Sequence, residues 1–154
     1  MGSYTSYKSI VISKLQGITI EVDTEDVPIF AAVLGANKKS DEGYPLAFVM
    51  EKTGGGSILD THRNEREWQF DIVIHQEVGR KTIDEAYAAL LDAADRVIDS
   101  FDQDPMLKDE HGEHRCKWVR VVPVAFEYDT QETAVHRALL TIAIVDVVNR
   151  YIPA

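Results

Sequence analysis

The chain has a single cysteine in 154 residues, Cys116, so no disulfide can form within it. A lone thiol suits a reducing compartment, where it is ordinarily a small buried apolar group. Basic residues are also scarce: 16 Lys and Arg stand against 26 Asp and Glu, a formal net charge of -10. That field repels a phosphate backbone and argues against tight nucleic-acid binding. No uninterrupted apolar stretch approaches the ~20 residues that span a bilayer, and the opening MGSYTSYKS lacks the apolar centre of a signal peptide. The expectation is a soluble protein made in a cytoplasm. With 45% apolar residues, residues 1 to 154 suit a single domain that buries its own core.

Complete catalytic patterns are missing as well. The glycine run Gly54 to Gly56 is followed by Ser57 and Ile58 rather than by the lysine and hydroxyl residue of a phosphate loop. It reads instead as a flexible hairpin or an interaction loop. No serine sits in a nucleophile elbow, and there is no zinc-protease helix pattern. Two clusters deserve weighing as metal sites. In REWQFDIVIHQEV, Asp71, His75 and Glu77 share one strand face, but neighbours two apart lie roughly 6 to 7 Å from one another and two ligands are too few for a structural zinc. In HGEHRC, His111, His114 and Cys116 lie near Asp109, Glu110 and Glu113 without the paired spacing of a four-ligand site. The first cluster reads as a solvated or interface face and the second as a charged surface loop. Asp92 and Asp95 read as the wet face of a helix. No catalytic, cofactor or metal residues are assigned.

What is present is periodicity. YTSYKSIVISKLQ places Tyr4, Tyr7, Val11 and Leu15 on one stripe of a short helix that Gly17 stops. ITIEVDTEDVPIFAAVL gives a strand, an acidic turn and a second apolar run from Pro28. The segment 35 to 44 reads as a surface loop, PLAFVMEKT as a strand, and SILDT as the start of a return strand. Trp68, Phe70, Ile72 and Ile74 alternate with Gln69, Asp71, Val73, His75 and Glu77, the pattern of a strand with one face on a core.

KTIDEAYAALLDAADRVIDSF carries Ile83, Tyr87, Leu90, Leu91, Ala94, Val97, Ile98 and Phe101 at helical spacing, and Thr82 with Glu85 fits a capping box. After the loop 102 to 116, CKWVRVVPVAFEYD is a strand with Trp118, Val122, Val124, Phe126 and Tyr128 on one face. Pro123 places it at a sheet edge or on a bulge. A turn at TQET leads into AVHRALLTIAIVDVVNRY, β-branched enough to favour a strand. Phe70, Ile72, Leu90, Val97 and Phe101 are the expected core.

The order implies an α+β fold, an antiparallel-dominated sheet with both helices packed on one face. The closing strands do not balance. Almost every position from 138 to 148 is apolar on both sides, as is most of 118 to 126, whereas two helices cover only one face of a sheet, and a strand apolar on both faces needs two covers. Either the segment 27 to 34 folds over the second face, or another subunit does.

The short N-terminal helix, the PLAFVM strand running into a glycine-rich loop, REWQFDIVIHQE leading into DEAYAALLDAADRVIDSF, and the long apolar closing strand resemble the tail terminator, or tail-completion, proteins of long-tailed bacteriophages. The resemblance spans about residues 4 to 148. It implies a virion protein and not an enzyme. Such a subunit joins a homo-oligomeric ring, usually of six, that caps the tail tube protein, ends its polymerisation and offers a surface to the head or its connector protein. Loops 35 to 44, 53 to 57 and 102 to 116 would grip those partners, and DNA would pass an acidic wall without adhering. Composition fits a second class too: a dimeric α+β module or enzyme that takes a small ligand in a cleft between helix and sheet.

Overall fold

The computed structural model describes residues 3–36, 43–53, 56–58, 63–79, 81–130 and 135–149. Helix α1, Tyr4–Gln16, opens on Ser3 in a capping box with Ser6 and buries Tyr7, Val11 and Leu15. Tyr4, expected on the same stripe, lies at its exposed end. Gly17 does end the helix, with its N–H on the carbonyls of Ser13 and Lys14, but in a right-handed conformation that needs no glycine. Strands β1, Thr19–Val22, and β2, Glu25–Pro28, form a hairpin of their own. Asp23 and Thr24 turn it with φ of 50 and 70, the paired positive angles whose twist matches antiparallel strands.

The larger sheet holds β3 (Ala32–Leu34), β4 (Leu46–Lys52), β6 (Arg63–Glu77), β8 (Val135–Asn149) and β7 (Trp118–Glu127), in that spatial order. Strand β5, Gly56–Ile58, pairs with the start of β6 and not with β4, so the expected return strand from PLAFVMEKT is instead the first arm of a hairpin with β6. Every pairing is antiparallel except β3 with β4. Gly54, Gly55, most of the loop 35 to 44, the end of SILDT and most of the TQET turn lie outside the described residues.

The two longest strands, β6 and β8, sit side by side at the centre with Ile72 opposite Leu140, Val73 opposite Leu139 and His75 opposite Arg137. Paired residues share a face, so one side of this ribbon carries Phe70, Ile72, Ile74, Leu140, Ile142 and Ile144, all wholly buried. Helix α2, Ile83–Asp102, covers them with Leu90, Ala94, Val97 and Phe101, and α1 completes the same layer. The Thr82 and Glu85 box forms as the sequence requires: the Glu85 N–H donates to Thr82 Oγ1 at 3.1 Å and the Thr82 N–H to Glu85 Oε2 at 3.3 Å. Leu91 is a correction. It lies one residue, about 100° of helix, beyond Leu90 and is 37% exposed on the outer side of α2.

The fold is therefore α+β with both helices on one sheet face. Strand β7 is an edge strand, and its register breaks between Pro123 and Ala125. The bulge corrects the single-face assignment of its apolar residues. Trp118 and Val122 pair with Val145 and Thr141 on the side away from the helices, whereas Phe126 pairs with Ala138 on the helix side. The loop 103 to 117 is also more than a charged excursion. Leu107 is buried, the Arg115 N–H donates to the Met106 carbonyl at 3.0 Å, and the Val119 N–H to the Pro105 carbonyl at 2.8 Å.

Candidate functional site

Asp71, His75 and Glu77 share a face, as alternation requires, but the structure does not bring them to one point. Asp71 accepts a hydrogen bond from Thr141 Oγ1 at 3.0 Å and faces Lys52 Nζ at 3.8 Å. The His75 ring packs edge-on against Phe48 with centroids 4.8 Å apart. Desolvation, helped by the Arg137 guanidinium, holds its pKa below the ordinary 6.5, so the imidazole is neutral at neutral pH. Glu77 is exposed at the strand end.

The HGEHRC cluster divides in the same way. Cys116 joins the core, and its burial, followed by the nearby Asp146 and Asp104 carboxylates, pushes the thiol up to about 12, far from a metal-binding thiolate. His111 and His114 stay exposed, and Asp109 Oδ1 accepts the N–H groups of His111 and Glu113 at 2.8 and 2.9 Å, which shapes the loop. Among the described residues no three His, Cys, Asp or Glu converge. Asp92 pairs with Arg96 at 2.8 Å on the outer face of α2, and Asp95 is exposed beside it.

A polar cluster that period-two counting passed over lies on the helix side of the sheet, where His136 pairs with Gln76. His136 is fully buried; its Nε2 faces the Ile83 carbonyl at 3.0 Å and its Nδ1 accepts the Asp129 N–H at 3.0 Å. Those partners fix the tautomer with the proton on Nε2. Tyr128 stacks on the ring at 5.0 Å, Tyr87 meets it edge-on at 5.5 Å, and the Tyr128 hydroxyl donates to Asp84 Oδ1 at 2.8 Å. That last bond raises the phenol's pKa. The cluster ties the β7–β8 end of the sheet to the first turn of α2. Its one trace in the sequence is a histidine on the core-side parity of an apolar strand.

A cleft of about 420 Å³ lies between the β1–β2 hairpin, Tyr44, Pro45 and the N-terminal half of α2. Gln76 lines it, 5% exposed, with Nε2 donating to the Glu77 carbonyl and Oε1 without a partner among the described residues.

The more extensive feature is the sheet face turned away from the helices. From β4 across β6 and β8 to β7, its rows are Phe48, Val73, Leu139 and Ala125, then Met50, Asp71, Thr141 and Val122, with Ala143, Arg120, Val145 and Trp118 continuing along the last two strands. Segment 27 to 34 does not cover it. That stretch ends β2, sends Phe30 into the helix-side core, and continues as β3 beyond β4. The face is shielded unevenly: Phe48, Ala143 and Val145 are buried, whereas Trp118 and Val122 are 36% and 41% exposed.

The free edge of β7 is blunted against an added strand. The Val119 N–H is already taken by Pro105; residue 123, on the same side by alternation, is a proline with no N–H, and the bulge follows. The surface therefore offers side chains more readily than backbone. Compared with known proteins, the chain matches no family model and no curated protein.

Proposed function

We propose that this chain is a structural assembly subunit that works by burying the helix-free face of its sheet against other protein, as a tail terminator capping a phage tail tube in an oligomeric ring. The observation that carries the reading is the exposed Trp118 and Val122 on the helix-free side of an edge strand whose partner β8 is largely apolar on both faces. Large apolar side chains grouped on a surface are what a partner interface leaves exposed in a free subunit. The blunted β7 edge supports an ordered, closing assembly rather than open strand addition. The ring, its tube partner and the connector surface rest on the resemblance of element order, and no chemical step belongs to this reading.

Electron microscopy of the purified protein, alone and mixed with tail tubes, tests it. The proposal expects rings, or caps at tube ends; a chain that neither self-associates nor decorates tubes contradicts it. The cleft at Gln76 favours a second reading, a small-ligand module, because a buried acceptor with no donor among the described residues is costly. That reading expects a dimer whose melting temperature rises with a ligand lost on Gln76→Leu substitution.

A further inference from the structure

We propose that the cover for the exposed part of the open face is the outer face of α2 from the next copy of the same chain. This rests on the assembly reading above and names its contact. The patch Trp118, Arg120 and Val122 combines exposed apolar side chains with a guanidinium that has no ion-pair partner among the described residues. Unlike Arg137, which faces Glu127 at 3.5 Å, and Lys117, which holds Glu65 at 3.1 Å, Arg120 has no such partner among the described residues.

The outer face of α2 is its complement. Leu91 is 37% exposed there, and Asp95, Asp99 and Asp102 follow at helical spacing, exposed and without ion-pair partners among the described residues. Arg96, the basic residue on that side, is held by Asp92. An apolar patch centred on a cation thus faces, on another copy, an apolar residue bordered by anions. Tryptophan and arginine are the side chains that most often dominate such contacts, and opposed charges fix their register.

The two surfaces lie on opposite sides of the sheet, since α2 packs on one face while Trp118, Arg120 and Val122 pair with Val145, Ala143 and Thr141 on the other. A contact between unlike surfaces is head-to-tail, so every copy keeps one of each free for the next, and the series ends by closing into a ring or grows as a stack. A helix laid on the second face also gives the central strands the second cover that their composition demands.

The test is charge reversal followed by sedimentation velocity. Arg120→Glu, and separately Asp95→Arg with Asp99→Arg, alter exposed positions and leave circular dichroism unchanged. Each should weaken self-association by ~10-fold or more, because like charges then oppose one another. Mixing the two variants should restore assembly, since the reversed patch of each then meets a complementary partner on the other. Singles that associate like the wild type, or a mixture that stays dissociated, overturn this contact while leaving a ring built elsewhere intact. A wild-type chain that stays monomeric at every concentration, with and without tail tubes, overturns both the contact and the assembly reading.

Discussion

The two faces of one sheet differ more than any two elements of this chain. On the helix side, Phe70, Ile72 and Ile74 alternate into a layer in which they and Leu140, Ile142 and Ile144 opposite are wholly buried, and α1 and α2 supply the cover. One residue along, on the opposite side, Gln69, Asp71, Val73 and His75 are half-buried, and the row ends on an exposed β7. The same backbone thus carries a finished core and an unfinished one. A buried large apolar side chain contributes about 1.5–3 kcal/mol, so the helix side accounts for folding and the other side holds apolar surface that folding leaves partly unused.

Adjacent residues give the largest expected contrast. Ile72→Asp places an unpaired charge beneath α2, costs several kcal/mol and abolishes soluble folding. Val73→Asp, on the half-open face, should yield a folded chain impaired in association; urea melts of the two variants compare them directly. Leu140→Ala next removes a fully buried side chain from the helix side and should cost ~2–5 kcal/mol, whereas Val122→Ser on the open face should leave monomer stability within ~0.5 kcal/mol. Equal losses at the two positions would mean that the faces are equally finished.

Thr82→Ala tests the anchoring of the helix layer itself. Loss of the capping box should cost ~1 kcal/mol in chemical denaturation without changing assembly. The smallest effect concerns His75. Its folded pKa lies below the unfolded 6.5, so on acidification the unfolded chain takes up its proton first. The contribution to stability is complete above 6.5 and is lost as pH falls from there through the folded value. A His75→Gln variant should show a shallower decline of stability below pH 6.5, measured by denaturation at a series of pH values.

Long periodic elements were legible in the sequence because many residues state the same period. Helix α2 and its Thr82 and Glu85 cap, the alternation in β6, and the edge position of the Pro123 strand follow from local chemistry. So does the doubly apolar β8. The misses share a different cause: each depends on contacts between segments. The bulge after Pro123 puts Phe126 on the opposite face from Trp118, and no property of either residue announces it. Leu91 falls just outside a stripe that counting alone drew one residue too wide. The parallel pairing of β3 with β4 and the docking of His136 beneath Tyr128 and Tyr87 join residues distant in sequence. Of the candidate site, the apolar composition of β8 on both of its sides was readable from the sequence; the Trp118, Arg120 and Val122 patch appeared only once the strands were in register.

Thiol labelling addresses the covered-face claim most directly, because the native Cys116 is buried with its thiol pushed up to about 12 and reacts slowly. In a Val122→Cys variant, alkylation followed by mass spectrometry across a range of protein concentrations reports access to the open face. The account predicts rapid labelling of dilute chains and protection at Val122 as they associate. Labelling that stays equally fast in the assembled protein would contradict it.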